Sequence, residues 1–405
     1  MMGVLSHVKV LDLSRVLAGP FAAQILGDLG ADVIKVERPG EGDETRRYGP
    51  PFLSTPDGRA DAAYFLSANR NKRSVTIDFA KPEGAALIRR LARRSHVVIE
   101  NFKTGALAKY GLDYASLTAD NPALIYCSLT GFGHDGPYKD KAGYDYLVQG
   151  MAGLMSITGQ ADGTPGGEPM RVGVAVSDLF TGLYATIAIQ AALIHQARTG
   201  EGQCIDMALF DCQTAALANQ AMNYLVSGNP PGRQGNSHPN IVPYQVFATA
   251  DGHMILAIPN DGQFRRFCTA AGLEELINDP RFIDNPRRVE HRQELIGLMK
   301  PVLAQRTTGA WIAVLEEANV PCGPINRIDQ LFADPQSLAR GHRITMTHSA
   351  AGPISLVASP LRLARTPPTY RHAPPLLGEH TDDVLRGELG LEERQMDALR
   401  ADGII

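Results

Sequence analysis

The side chain most able to do chemistry in this sequence is Asp178, in the run VGVAVSDLFTG (172–182). It is a lone carboxylate among small and apolar residues, at the head of a long apolar stretch. Two readings are open. A carboxylate at a helix start accepts backbone N–H bonds and is favoured by the helix dipole, which is ordinary capping. Held in a shaped, dry site, it is also a nucleophile able to form a covalent intermediate.

A second candidate is the loop 14–21 (SRVLAGPF), between a strand-like run and a helix start. Free N–H groups at such a place favour phosphate or carboxylate. The dinucleotide pattern G-x-G-x-x-G is missing; Ala18, Gly19 and Pro20 stand there instead, which disfavours a nicotinamide site. Three basic clusters follow strand-like runs: Lys35 with Arg38; Arg70, Lys72 and Arg73; Lys103 and Lys109. Open α/β sheets collect ligands at strand carboxyl ends, so cations converging there suit a polyphosphate nucleotide. The plainer alternative is a solvated surface, which is how Arg89, Arg90, Arg93 and Arg94 read.

Other chemistry is sparse. No serine sits in G-x-S-x-G, and the 11 histidines are scattered. The cysteines 127, 204, 212, 268 and 322 form no C-x-x-C pair, so neither a disulfide framework nor a metal site is expected. GFGHDG (131–136) and GQADGTPGG (159–167) are either loops beside a site or plain turns.

The elements that must position these residues alternate in the first hundred positions. Runs 8–13, 32–37, 74–79, 96–100 and 124–129 read as strands, and 20–29 and 82–94 as helices. The compact β-α-β start implies a parallel sheet, so the class is α/β with a Rossmann-like large domain. A long helix over 178–198 starts at Ser177 and Asp178 and stops at Gly200; another covers 211–226. The stretch 227–243 is rich in Gly, Pro, Asn and Ser and reads as a linker. A hairpin turning at Asp251-Gly252 and three helices (263–271, 287–305, 310–318) then form a small α+β domain, which exits through VPCGPI (320–325). The expected domains are 1–226 with 330–405, and 227–329. The tail reads as strands at 354–357 and 361–363 and a final helix.

The chain has 405 residues and a net charge of −4, which argues against a general nucleic-acid binder. No uninterrupted apolar run reaches the ~18 residues of a membrane span, and residues 1–10 carry no export pattern. A cytoplasmic setting is expected, with neither nucleic acid nor membrane as partner.

Taken in order, RVLAGPFAAQILGDLGADVIKVERPGEGDETR, NRNKRSV, IENFKTGALAKYGLD, IYCSLTGFGHDGPY, AGYDYLVQGMAGLMSITG, VGVAVSDLFTGLYA and PPLLGEHT resemble the class III CoA-transferases, the formyl-CoA and carnitine CoA-transferase family. RQGNSHPNIVPYQVF, VPCGPIN and FADPQ are most similar to its succinyl-CoA–glutarate branch. The resemblance implies an interlocked homodimer and the movement of CoA from an acyl-CoA to a carboxylic acid. It implies an aspartyl anhydride and an aspartyl-CoA thioester on Asp178, with no resident cofactor or metal. It also implies CoA contacts at Leu17, Ala18, Arg38, Asn71, Lys72, Arg73, Asn101, Phe102, Lys103 and Lys109, and a site lined by Tyr144 and Asp145.

Tyr144 stands where racemase relatives have a histidine for moving an α-proton, which favours transfer over an α-methylacyl-CoA racemase. Leu17 and PNDG (259–262) replace a glutamine and a glycine run of the oxalate enzymes, so a longer or more apolar acid is expected. A non-catalytic CoA-binding protein is the alternative from another class.

Overall fold

The computed structural model describes residues 3–56, 58 and 60–405. Positions 1, 2, 57 and 59, which the sequence reading assigns to the first domain, lie outside the described residues. The chain divides into two compact units. One comprises Met1–Leu154, Val172–Met222 and Gln336–Ile405; the other comprises Met155–Arg171 and Asn223–Pro335. Segment 155–171, expected in the first domain, falls in the second unit. There the Met170 N–H donates to the Thr158 carbonyl and Arg233 pairs with Asp162.

The first unit is built on six strands: β1 (Lys9–Asp12), β2 (Asp32–Glu37), β3 (Lys72–Thr76), β4 (Val97–Glu100), β5 (Ile125–Thr130) and β6 (Cys204–Ala208). All pair parallel, in the order 3-2-1-4-5-6. This is the doubly wound arrangement, with helices on both faces. β4 and β5 are buried throughout, as strands covered on both sides must be. Alternate residues feed two cores. Leu11, Ile34 and Val98 pack with Leu87, Ile88 and the C-terminal Val384 on one face. Val10, Val33 and Ile99 pack with Ala22, Leu26 and Ile189 on the other.

Six helices matter to the site: α1 (Ala18–Asp28), α2 (Pro82–Ala92), α3 (Tyr114–Asp120), α4 (Asp145–Met151), α5 (Val176–Thr199) and α6 (Leu209–Ala216). α5 is long and apolar enough to cross a membrane by length and composition alone. Its Ala185, Ile189 and Ala192 are buried in the sheet core, as in a packed core helix. Gly182 lets it lie close on α1, because a Cβ there would stand 2.8 Å from the Ala18 carbonyl oxygen. α5 ends as expected on Gly200, in the left-handed conformation.

Several elements differ from expectation. β6 was not foreseen, because its short CIDMA run is an edge strand with little burial. β3 lies two residues earlier than expected, over 72–76, which frees 77–80 to form a loop. The expected helix over 211–226 is two helices, Leu209–Ala216 and Ala218–Ser227, broken where Ala218 takes a positive φ of 45°. The expected helix over 287–305 likewise divides at His291. In the tail, 361–363 is not a strand; Arg343–His348 pairs with Gly352–Val357 instead.

The second unit holds an antiparallel sheet of β7 (Tyr244–Ala248), β8 (His253–Ala257) and β9 (Cys322–Pro324), in the order 9-8-7. The Asp251-Gly252 turn joins β7 and β8 as expected. The exit expected as a linker supplies β9, pairing with Met254–Leu256. Phe247, Leu256, Phe264, Phe267 and Trp311 form its core.

Four cations read as ligands are structural instead. Lys35 is fully buried and pairs with Asp43 at 2.9 Å. Lys72 is fully buried and donates to Asp12, to the Pro20 carbonyl and to Asn69, each at 2.9 Å. Arg70 forks onto Asp28, and Arg73 onto Asp32. Burial works against the Asp12 carboxylate, but Lys72 and Lys35 hold it below its ordinary range. Burial pushes the Lys72 ammonium down to about 8, so both partners carry charge at neutral pH. Removing one member of such a pair strands the other charge in the interior. Lys72→Ala is therefore expected to destabilise the fold by about 3–5 kcal/mol, read from urea midpoints. A loss of CoA affinity without loss of stability would make Lys72 a ligand after all.

Candidate active site

β1 and β4 are neighbours, but the chain leaves them toward opposite edges of the sheet. The loops beyond their carboxyl ends diverge and leave a crevice. Asn101, just after β4, spans it. Its Oδ1 accepts the Arg15 N–H at 2.8 Å, and its Nδ2 donates to the Arg15 carbonyl at 2.7 Å. The next residue, Val16, is held at φ +68°, a strained conformation for a β-branched side chain. Its N–H donates to both oxygens of Asp43, at 3.2 and 3.3 Å. Burial opposes the Asp43 charge, but Lys35 and the Thr45 N–H and hydroxyl hold its carboxyl near 2. α1 then begins at Ala18 with no side-chain cap, so its first N–H groups face the crevice, an arrangement suited to anions.

Two cavities open along this crevice. The outer one, about 440 Å³, is walled by Arg38, Arg47 and residues 77–80. The inner one, about 210 Å³, is lined by Leu17, Ala18, Lys103, Tyr144, Asp145 and Asp178. Arg15, Glu44 and Phe102 line both, so the two adjoin. Phe102 is fixed from below, its N–H donating to the buried Glu100 carboxyl at 2.8 Å.

Asp178 lies in the first turn of α5 but is not the cap. The N-cap residue is Ala175, two residues before the expected start at Ser177, and Asp145 does the capping from α4. Its Oδ1 accepts the Ser177 N–H at 2.8 Å, while its Oδ2 accepts from Gln149 at 2.7 Å. Asp178 is left partly buried, and its carboxylate has no hydrogen-bond partner among the described residues. Burial, reinforced by the Asp145 charge, pushes its carboxyl up to about 7. Tyr64 is close enough that burial with Asp178 and Asp145 pushes its phenol up to about 12. Tyr64 packs edge-on to Tyr48, which lines the inner cavity, at 5.7 Å.

The expected site is thus assembled in part. Leu17, Ala18, Asn101, Phe102, Lys103, Tyr144, Asp145 and Asp178 meet in the inner cavity, and Arg38 lines the outer one. The side chains of Asn71, Lys72 and Arg73 line neither. Asn71 donates to Asp28 and accepts the Arg371 N–H; Lys72 and Arg73 are consumed by the ion pairs above. Lys109 also lies outside both cavities, its ammonium over the Tyr110 ring at 4.6 Å. Sequence reasoning missed Arg15, Tyr48, Lys139, Lys141 and residues 77–80. The strand-end rule applies to 77–80, but only with the end of β3 at Thr76 rather than Phe79. Lys139 and Lys141 reach the inner cavity because Gly131 and Gly143 touch backbone to backbone; a Cβ on either would overlap the other.

A doubly wound sheet with a cationic crevice and a half-buried aspartate that has no hydrogen-bond partner among the described residues suits an anionic substrate. The family model for CoA-transferase family III matches residues 5–381. The chain is similar to the succinate–glutarate CoA-transferase of Agrobacterium fabrum, 54% identical over 391 residues, with 96% of each chain covered. It is 42% identical over 401 residues to the human succinyl-CoA:glutarate CoA-transferase, covering 99% of this chain and 90% of that one. The solved structure of a CAIB/BAIF family protein from Brucella suis superposes with a TM-score of 0.85 at 50% identity, covering 96% of this chain and 100% of that one. This chain belongs to CoA-transferase family III, and it is a CoA-transferase.

The raised Asp178 carboxyl has a consequence for stability. Its folded-state affinity for a proton exceeds the unfolded one, so its contribution is full below about pH 4 and is lost as pH rises through about 7. Asp178→Asn is therefore expected to raise the melting temperature by a few degrees at pH 8 and little at pH 5. Equal shifts at both pH values would contradict this.

Proposed function

We propose that the enzyme moves CoA from a dicarboxylic acyl-CoA, of the succinyl-CoA type, to an acceptor dicarboxylic acid through covalent intermediates on Asp178. The observation that carries this is the Asp178 carboxylate, unpaired and facing the inner cavity where the crevice ends. The names of the similar glutarate enzymes support the substrate class.

The chemistry balances without a proton or a cofactor. An Asp178 oxygen attacks the thioester carbonyl; the C–S bond breaks, leaving a mixed anhydride and CoA thiolate. The thiolate attacks the aspartyl carbonyl, releasing the donor acid and forming an aspartyl-CoA thioester. The acceptor carboxylate displaces the thiolate, giving a new anhydride. Thiolate attack on the acceptor carbonyl then completes the new acyl-CoA and restores Asp178. Activation is conserved throughout, provided water is excluded from the anhydride. The apolar wall of Leu17, Leu129 and Leu209 serves that exclusion. Leaving Asp145 to cap α5 keeps the nucleophile's own lone pairs free.

A homodimer, interlocked as in the resembling family, fits this reading. α5 exposes a stripe of Leu183, Tyr184, Ile187 and Ile194, which suits burial by a second copy.

Two measurements test the mechanism. Incubation with succinyl-CoA is expected to leave a hydroxylamine-sensitive mass adduct, abolished in Asp178→Ala; transfer activity surviving in that variant would refute it. Because only ionised Asp178 attacks, kcat/KM is expected to fall with the ionised fraction below about pH 7. Exchange of an α-proton in heavy water without any acceptor acid would instead favour racemase chemistry.

A further inference from the structure

Arg15 sits where the two cavities adjoin and lines both. Its backbone is clamped by Asn101, and its guanidinium lies over the Phe102 ring, 4.8 Å from the centroid. Nη1 donates to a Glu44 oxygen. The Arg15 Nε and the other Glu44 oxygen are both shielded from water and have no hydrogen-bond partner among the described residues. A guanidinium–carboxylate pair is strongest with two parallel bonds. This one makes a single contact and leaves one donor atom and one acceptor atom shielded from water without a bond, while both side chains stay partly exposed.

We propose that Arg15 is the specificity-determining residue for the distal carboxylate of a dicarboxylic acyl group. Between turnovers Glu44 occupies the guanidinium with a carboxylate of its own, and substrate displaces it, engaging both Nε and Nη1. The proposal rests on the CoA-transferase reading above and deepens it. Phosphates are a less suitable partner for Arg15. The outer cavity has its own cations, Arg38 and Arg47, and the exposed Lys103 and Lys139 are mobile point charges suited to phosphate. Arg15, by contrast, is a planar fork on a clamped backbone that already binds a carboxylate. With the distal carboxylate on Arg15, the reactive end of the acyl chain extends into the cavity that holds Asp178.

The experiment compares kcat/KM for glutarate and for butyrate as acceptors, with succinyl-CoA as donor throughout. In Arg15→Gln the preference for glutarate over butyrate is expected to fall on the order of 100-fold, since a site built to bind a charged group discriminates steeply by it. Arg15→Lys, which keeps charge but not the fork, is expected to fall between. Glu44→Gln, which removes the competing carboxylate, is expected to lower the KM for glutarate. An Arg15→Gln variant that keeps the preference overturns the proposal. So does one whose inhibition constant for free CoA rises in step with both acceptors, since that would put Arg15 on the phosphates. A wild-type enzyme that transfers CoA to no carboxylate refutes the underlying reading instead.

Discussion

The site depends on one small clamp, the Asn101 amide that donates to and accepts from the backbone of Arg15. A 3-2-1-4-5-6 sheet drives the loops after β1 and β4 apart. Without a tie, the divergence would leave the β1 loop free to collapse or wander. The clamp fixes that loop at its midpoint. Asp43 then holds the next residue, Val16, in a conformation its side chain disfavours. The strain is the price of turning the chain sharply enough for α1 to begin at Ala18 with its N–H groups open.

That turn is supported from beneath by buried ion pairs. Asp12, Asp43, Glu37 and Asp28 each take up a cation from a neighbouring strand or loop. Glu37 receives Arg46 through two bonds of 2.7 Å and also accepts from Ser74, tying the loop after β2 to β3. Such pairs add little net stability, since desolvation offsets most of their attraction. What they add is geometric definition, because each buried carboxylate meets its cation in one fixed arrangement. The crevice is left with Lys103, Lys139 and Lys141, which form no ion pair among the described residues, and with Arg38, which pairs only with the exposed Glu41.

Asp178 shows the opposite economy. It is placed in the first turn of a long helix, where the dipole favours an anion. Burial and Asp145 nonetheless dominate and raise its carboxyl to about 7. Had Asp178 capped its own helix, its lone pairs would be spent and its charge deeply stabilised. Division of labour between two aspartates separates capping from chemistry. Gly182, one turn further on, lets α5 approach α1 closely.

Local patterning by itself determined the α/β class, the β1-α1-β2 unit, the Asp251-Gly252 hairpin and Asp178 at the head of a long apolar helix. These follow from periodicity, turn residues and stop signals, which act over a few neighbouring positions. The weak edge strand β6 and the break at Ala218 escaped, because neither has a strong local signature. Only the tertiary structure decided which cations serve the site. Lys72 meets Asp12 across 60 residues and Arg70 meets Asp28 across 42, partners set by strand order rather than by spacing. The same holds for Arg15 beside Phe102 and for Asp145 capping α5. A charge in the sequence is only a charge; whether it binds substrate or a neighbour depends on which opposite charge the sheet places beside it.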